Sequence, residues 1–397
     1  MTPLAVVQEH LESLKQSPLA QLSLSSRELF HSNFLAWLCE NHGAFASELF
    51  GAFLARKPSG GIKEVCREEK NIDLLIRFVD GQELIVENKV KSLPDSTQLA
   101  EYSAKFHSEH SSFLLLSLSH PHFISSSVQT YKDSGGKTWN ILMYGELSRR
   151  IEAILQSELT APEAGSYHRL VIEDYVKYIG ALANLGAYFD VAAQPDASFF
   201  EGTDRIGELC DDRFGSGFVK MRYSHLAGML NEQLQGLGFE TVTEPSAYWR
   251  PANAYPLVWA GMTRSLGLLD FKYPLIGTEG LGAAPPVTLG VQLQGNSFRL
   301  VVECHRRDAA LVAELFKQSN NGHPGWFDFG LLPLPCDGEE YPSKRDFNKF
   351  GKEFLYRSKK VDHAITPAGI VKVIVAYAEF ISENRDALRE RAIALYS

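Results

Sequence analysis

Residues 71–89 read Asn-Ile-Asp-Leu-Leu-Ile-Arg-Phe-Val-Asp-Gly-Gln-Glu-Leu-Ile-Val-Glu-Asn-Lys, and this segment decides the fold of the chain. Apolar residues recur at alternate positions on both sides of a short polar turn, and a period of two is the pattern of a β-strand. Two such runs joined by a turn that contains glycine predict an antiparallel hairpin. Acidic and basic residues occupy several of the remaining positions, so the hairpin is also where we look first for a functional site.

The length of the turn decides which side chains face each other across the hairpin. A two-residue turn would mix apolar and charged side chains on one face. A three-residue loop at 79–81 places glycine third, where a left-handed backbone is needed. This register pairs Arg77 with Glu83, brings most apolar side chains to one face, and puts Asp73 directly opposite Glu87. We therefore predict the three-residue loop.

Two opposed carboxylates, Asp73 and Glu87, have Lys89 beside them on the same strand face in this register. Like charges directly opposite each other destabilise a strand pair by up to about 1 kcal/mol, so a compensating cation is expected. Mg²⁺ binds one or two carboxylates together with water and phosphate oxygens. A lysine beside such a cation can position or deprotonate water for attack on a phosphodiester. The alternative is a solvated strand face that carries ordinary surface charges.

The hairpin and its surroundings resemble the PD-(D/E)XK nuclease superfamily, and most of all a prokaryotic group whose second strand reads Ile-Glu-Asn-Lys. The resemblance covers about residues 25–155. Ile72 stands where the family has its name-giving proline, and residues 200–397 match no family pattern. The motifs are Ile72-Asp73, Ile85-Val-Glu-Asn-Lys89, Gln98-x-x-x-Tyr102 and the first-helix segment Glu28-Leu-Phe-His-Ser-Asn-Phe-Leu-Ala-Trp-Leu38.

The resemblance implies the metal ligands and the reaction. Asp73 and Glu87 would bind Mg²⁺ or Mn²⁺ together with the backbone carbonyl of Asn88, and Lys89 would activate water or stabilise charge. The implied reaction is hydrolysis of phosphodiester bonds in nucleic acid, with DNA expected as the substrate, in defence or repair. The rival function is a nucleic-acid-binding or assembly module that keeps the fold without turnover. The complete set of two acids and a lysine favours the enzyme.

The helix after the hairpin carries two more candidate catalytic residues. Gln98 and Tyr102 are four positions apart and share one helix face, with Lys105 one turn further on. The resemblance implies that the glutamine and the tyrosine face the active site and help to hold the scissile strand. The alternative for Tyr102 is a half-buried packing aromatic.

Two acids before the hairpin, Glu68 and Glu69, are candidates for an additional metal ligand. Strand parity puts Glu69 on the face of Asp73 if the strand continues without a bend. The family pattern of an arginine followed by a glutamate matches Arg67-Glu68 instead. Both candidates are kept, with Glu69 slightly ahead.

Glu28 has two expected roles at the start of the first family helix. With Ser25 it fits a capping box, in which the two side chains satisfy the first amides of the helix. In some relatives the equivalent acid reaches the metal site. His31, one turn further along, is expected to pack against other helices rather than to take part in catalysis.

The stretch 344–360 is the best candidate for a phosphate-binding surface in an acidic chain. It holds seven basic residues against two acidic ones, interleaved with aromatic residues. The candidate nucleic-acid-binding residues are Lys349, Lys352, Lys359 and Lys360. An amphipathic helix with solvated lysines is an equally good interpretation.

The order of elements predicts a mixed α/β fold with a restriction-endonuclease-like core, in which helices flank a central mixed sheet. We expect this nuclease-like domain to cover residues 1–190 and a linker rich in small residues and proline to cover 191–204. Residues 205–397 are expected to form an α+β domain of unknown type, with substrate recognition as its candidate role.

Composition excludes several classes of protein. The 397 residues are 45% hydrophobic and 22% charged, a globular balance, and no apolar run is long enough to span a membrane. The five cysteines form no CxxC pair, which argues against a zinc ribbon and for a reducing cytoplasm. The net charge of -9 restricts nucleic-acid binding to a local basic surface. The oligomeric state stays open, a homo-oligomer included.

Overall fold

The computed structural model describes residues 3–23, 28–125, 127–157, 159–193, 195–210, 212–240, 242–243, 255–277, 286–304, 309–317, 325–331, 346–351 and 353–396. The chain divides into two compact units. The first comprises residues 1–193 together with 206–221, and the second comprises residues 194–205 together with 222–397.

Helices occupy much of both units. Among the described residues, no helix is long and apolar enough to cross a membrane. The helices are α1 (Pro3–Gln16), α2 (Pro18–Leu22), α3 (Glu28–Asn41), α4 (Gly43–Gly51), α5 (Ser96–Ser103), α6 (Tyr144–Leu155), α7 (Tyr167–Phe189), α8 (Phe199–Leu209), α9 (Asp212–Gly236), α10 (Ala309–Lys317) and α11 (Pro367–Ala394).

Within the described residues, the strands form one six-stranded sheet in each unit and a small two-stranded ladder. The strands of the first unit are β1 (Ile62–Arg67), β2 (Leu74–Phe78), β3 (Glu83–Lys89), β4 (Ser111–Ser117), β5 (Thr130–Lys132) and β6 (Thr138–Met143). Those of the second unit are β7 (Val242–Thr243), β8 (Tyr255–Pro256), β9 (Val258–Thr263), β10 (Leu266–Ile276), β11 (Val287–Gln294), β12 (Ser297–Cys304), β13 (Asn348–Phe350) and β14 (Phe354–Lys360).

The sheet of the first unit is mixed and has the order β1-β2-β3-β4-β6-β5. Strand β2 is antiparallel to both β1 and β3, whereas β4 runs parallel to both β3 and β6. A parallel neighbour requires a crossover, which α5 supplies between β3 and β4. The predicted mixed α/β fold, with a central sheet flanked by helices, is confirmed.

Apolar cores cover both faces of this sheet. Leu74 and Ile76 point into the larger core, which includes residues of α3, α4, α6 and α7. Leu75 and Ile85 point to the opposite face, into a smaller core that also contains Leu99 of α5. Five buried apolar residues of the hairpin lie in the larger core and three in the smaller one, so most of them share one face, as expected. Because both faces of this sheet are covered, its strands also carry apolar residues at consecutive positions.

The second unit is built on an antiparallel sheet with the order β13-β14-β12-β11-β10-β9. Helices α10 and α11 pack against it, and Phe298 of β12 meets Tyr377 of α11 at a ring-centroid distance of 5.6 Å. Two sequence expectations need correction here. The predicted linker contains the start of α8, at Phe199, and the described part of the 344–360 stretch forms β13 and β14 rather than a helix.

Candidate metal-binding and catalytic site

The hairpin adopts the register predicted from its turn. Arg77 pairs with Glu83, and their side chains form an ion pair at 3.1 Å. The amide of Phe78 donates to the carbonyl of Gln82 at 2.9 Å, which closes the three-residue loop. Gly81, at the third loop position, has a φ of +82°, in the left-handed region that glycine adopts without strain.

This register brings the two candidate metal ligands face to face. Leu74 pairs with Val86, so the next position along the ladder places Asp73 across from Glu87. Asp73 lies immediately before β2, and its Oδ2 atom accepts a hydrogen bond of 2.8 Å from the backbone amide of Asn88. That bond holds the Asp73 carboxylate against the end of β3.

Glu87 and Lys89 form a buried ion pair on this face of the sheet. The distance from Lys89 Nζ to Glu87 Oε1 is 2.8 Å. Lys89 is 8% exposed and Glu87 is 2% exposed. The second carboxylate oxygen of Glu87, Oε2, is buried and has no hydrogen-bond partner among the described residues. A buried acceptor without a partner costs about 1–3 kcal/mol, so a native structure that retains one requires an explanation.

Burial and charge shift the pKa of each group. Burial raises the pKa of Glu87, Lys89 opposes the rise and the neighbouring Asp73 charge adds to it, and the net result is a pKa of about 7. Burial also raises the pKa of Asp73, against the hydrogen bond from the Asn88 amide. For Lys89, burial favours the neutral amine, but the charge of Glu87 outweighs it and keeps the pKa above its ordinary value.

These residues fit a divalent cation. Asp73 and Glu87 offer carboxylate oxygens, and no donor among the described residues hydrogen-bonds Glu87 Oε2. Among the described residues, no cluster of three or more histidine, cysteine, aspartate or glutamate side chains is arranged to hold a metal. A two-carboxylate site suits Mg²⁺, which completes its shell with water and phosphate oxygens.

Gln98 and Tyr102 lie on α5 beside these acids. Gln98 Nε2 donates to Tyr102 Oη at 2.6 Å, and the Tyr102 ring packs against the smaller core. Burial raises the pKa of the Tyr102 hydroxyl, and the charge of Glu87 raises it further. The tyrosine therefore packs as an aromatic and also lies within electrostatic range of the site.

Glu68 and Glu69 do not extend the strand as the parity argument required. Strand β1 ends at Arg67, and Glu68 has a φ of +56°, so the chain bends before it reaches Asp73. Glu69 instead forms an ion pair of 2.7 Å with Arg77. That partner lowers the pKa of the Glu69 carboxylate. The unbroken strand that the parity argument required is therefore absent, and metal-ligand roles for Glu68 and Glu69 stay predictions.

Glu28 anchors the turn that follows β3. Its Oε1 atom accepts hydrogen bonds from the amides of Val90, Lys91 and Ser92 at 3.3, 3.0 and 2.8 Å. Burial raises the pKa of Glu28, but these bonds outweigh it and hold the pKa below its ordinary value. Ser25, the partner in the predicted capping box, lies outside the described residues. The side chain of Glu28 thus holds the backbone of the segment that follows Lys89.

His31 packs as expected. It is completely buried, and its Nδ1 atom lies 3.1 Å from the hydroxyl of Tyr175. Burial lowers its pKa to about 3, so the imidazole is neutral.

Sequence reasoning missed the side chain of Asn88. Tyr144 Oη donates to Asn88 Oδ1 at 2.6 Å, and Asn88 Nδ2 donates to the Glu28 carbonyl at 2.9 Å and to Ser32 Oγ at 3.2 Å. These bonds hold the Asn88 side chain on the sheet face opposite to Glu87 and Lys89. Tyr144 begins α6, more than fifty positions along the chain, and no local pattern links it to β3.

The candidate nucleic-acid-binding lysines lie in the second unit. Lys349 belongs to β13, Lys359 and Lys360 belong to β14, and Lys352 lies outside the described residues. Lys360 Nζ donates to Asn296 Oδ1 at 2.6 Å. Successive residues of a strand point to opposite faces, so Lys359 and Lys360 do not share one surface. Nucleic-acid binding by these lysines stays a prediction.

Comparison with known proteins agrees with this geometry. Residues 18–177 match the family model of the PD-(D/E)XK nuclease superfamily. The resemblance stated from the sequence is thereby confirmed for this part of the chain, and the match supports a nuclease-type function. No curated protein and no solved structure matches the chain.

Proposed function

We propose that this protein is a divalent-metal-dependent nuclease that hydrolyses phosphodiester bonds of nucleic acid, with DNA as the first substrate to test and defence or repair as its context. The observation that carries the proposal is Glu87. It is almost completely buried, paired with Lys89 through one oxygen, and left with a second buried oxygen that has no hydrogen-bond partner in the described part of the chain. A core carboxylate with no function would be expected to have both oxygens satisfied.

Asp73, Glu87 and the backbone carbonyl of Asn88 would hold the cation, Mg²⁺ or Mn²⁺. When bound, a divalent cation lowers the pKa of water and offsets the negative charge that develops on a phosphate. The Asn88 amide orients Asp73 for this task through its 2.8 Å bond. The Tyr144 bond to the Asn88 side chain keeps the end of β3 in place.

Lys89 contributes a fixed positive charge. Its ion pair with Glu87 keeps the ammonium protonated and aimed along the catalytic face. There it can hold the attacking water or stabilise the developing charge on the phosphate. Gln98 and Tyr102, joined by a 2.6 Å hydrogen bond, supply polar groups on the neighbouring helix that can orient the scissile strand.

The test is a cleavage assay of the wild type and the variants Asp73→Asn, Glu87→Gln and Lys89→Ala. Substrates are linear, circular and single-stranded DNA and RNA, with Mg²⁺, Mn²⁺ or Ca²⁺. The two acid variants should abolish cleavage, and Lys89→Ala should lower turnover while calorimetry still detects a bound cation. Ca²⁺ should support binding but little turnover, because its looser coordination positions water poorly.

Glu40→Gln is the matched control, since this exposed acid lies on α3 and should leave cleavage unchanged. The proposal fails if the wild type cuts none of the substrates and binds no cation that Asp73→Asn loses. The non-catalytic binding or assembly module would then be the better description.

A further inference from the structure

Two lysines beside the candidate site hold each other's backbone. Lys70 Nζ donates to the carbonyl of Lys105 at 3.1 Å, and Lys105 Nζ donates to the carbonyl of Lys70 at 2.9 Å. We name this reciprocal pair of Lys70 and Lys105 the lysine clasp. It joins the turn before Asp73 to the chain just after α5.

Aromatic rings hold both ammonium groups in position. Lys70 Nζ lies 4.6 Å from the ring centroid of Phe106, and Lys105 Nζ lies 4.6 Å from that of Tyr102. Cation–π attraction and the carbonyl bonds together restrict two side chains that would otherwise be mobile. An ammonium has three donor hydrogens, so one bond to a carbonyl leaves capacity for a further acceptor.

The turn that contains Lys70 has a strained backbone. Glu68, Lys70 and Asn71 have φ values of +56°, +54° and +62°, and none of them is glycine. Non-glycine residues seldom adopt this conformation, because it costs free energy that the surroundings must offset. Such strain concentrates at functional sites. Here it lies immediately before the metal-ligand candidate Asp73.

The clasp adjoins the catalytic face through Tyr102. The ring that lies under Lys105 belongs to the tyrosine whose hydroxyl pKa responds to the charges of Glu87 and Lys89. The acid next to Lys70 in this turn, Glu69, is bound to Arg77 at 2.7 Å. Its ion pair is therefore with Arg77, although the Lys70 charge also acts on it.

We propose that the lysine clasp binds a phosphodiester phosphate of the nucleic-acid strand, next to the scissile one. The inference rests on the proposed nuclease function and extends it to the residues that place the substrate. A neutral donor such as glutamine could satisfy each carbonyl equally well. Two cations held side by side repel each other, and an anionic ligand removes that cost. Phosphate oxygens are the acceptors that a nucleic-acid strand presents along its length.

The experiment measures binding of a labelled DNA duplex and its labelled single strand by fluorescence anisotropy, in EDTA, across a salt series. Lys70→Gln, Lys105→Gln and the double variant are compared with the wild type. Each lost phosphate contact should reduce the slope of log K against log salt by about 0.7–0.9. Lys→Arg variants at both positions should keep the slope, because they keep the charge.

Lys57→Gln is the matched control, since it removes one exposed lysine from the loop after α4 and should leave the salt slope unchanged. Melting temperatures are recorded for every variant. A double variant that melts earlier but binds with the wild-type slope would show a purely structural clasp and overturn the inference. An equal slope change in Lys57→Gln would overturn it as well. If the wild type binds neither DNA in EDTA, the clasp gives no metal-independent hold on the strand and the inference fails, whereas the proposed function is judged separately by the cleavage assay.

Discussion

Glu87 is the residue on which the proposed chemistry of the first unit depends. A carboxyl that is 2% exposed ordinarily becomes neutral, because burial penalises the charged form. Lys89 opposes this penalty at 2.8 Å, and the facing Asp73 adds to it. The balance leaves Glu87 with a pKa of about 7, where a modest change in its surroundings decides whether it is charged. A bound cation would be such a change, since metal ligation requires the deprotonated form.

At the residue scale, we expect the free energy of unfolding of the metal-free wild type to fall as the pH rises from about 5 to about 8. The folded-state pKa of Glu87, about 7, lies above the value of about 4.3 for an unfolded chain. Protonation therefore favours the folded state. This stabilisation is complete below the unfolded pKa and is lost as the pH rises through the folded pKa. The change is on the order of 3 kcal/mol, since one pKa unit corresponds to about 1.4 kcal/mol.

Urea unfolding in EDTA at a series of pH values measures this change. Glu87→Gln, which cannot titrate, should show a flatter dependence of the free energy of unfolding on pH. Glu40→Gln, an exposed acid on α3, should follow the wild type. Parallel curves for the wild type and Glu87→Gln would contradict the expected linkage.

At the scale of elements, the turn between β2 and β3 sets the register of the whole site. Gly81 has a φ of +82°, and a Cβ added there would meet no atom within 4 Å. The need for glycine is therefore a matter of backbone conformation and not of space. A shift of one residue in this register would move the acids to the other face of the sheet.

We expect Gly81→Ala to lower the free energy of unfolding by about 1–2 kcal/mol, because alanine is strained in the left-handed region. Gly61→Ala is the matched control. A Cβ at Gly61 also meets no atom within 4 Å, but its φ lies outside the left-handed region. This control should be neutral or slightly stabilising, since alanine reduces the entropy of the unfolded chain. Equal denaturation midpoints for the two variants would refute the argument from conformation.

At the scale of the whole molecule, each unit has its own sheet, and the candidate catalytic residues all lie in the first. The sheet of the second unit carries a cross-strand polar row in which Asp270, Gln292 and Arg299 occupy facing positions on β10, β11 and β12. Gln292 Nε2 donates to Asp270 Oδ1 at 2.8 Å, so the row is internally bonded. The described lysines of the 344–360 stretch lie at the β13–β14 side of the same sheet. This division of residues is consistent with catalysis in one unit and substrate binding in the other.

We expect the double reversal Lys349→Glu with Lys359→Glu to weaken DNA binding and to reduce its dependence on salt. Turnover at saturating DNA should stay unchanged, because neither lysine belongs to the candidate catalytic set. Binding and steady-state cleavage measurements together separate the two effects. Lys372→Glu is the control, since this exposed lysine lies on α11 of the same unit. Unchanged affinity across the salt series would remove these lysines from the substrate-binding surface.

The sequence by itself determined the hairpin and the opposition of its two acids. Both follow from short-range geometry, since strand period, loop length and the left-handed requirement at Gly81 involve only neighbouring residues. The ion pair of Arg77 with Glu83 followed from the same register. The start of the helix that carries Gln98 and Tyr102 also depends on neighbouring residues, because the Asp95 side chain accepts hydrogen bonds from the first amides of α5.

Only the tertiary structure decided the environment of these side chains. The bend at Glu68 sends Glu69 to Arg77, and strand parity could not reveal it because parity assumes an unbroken strand. The bonds of Tyr144 to Asn88 and of Glu28 to the turn after Lys89 join residues more than fifty positions apart. The burial that shifts the pKa of a carboxylate depends on which distant elements pack over it. Such contacts arise from the packing of the whole unit, so no local pattern in the sequence encodes them.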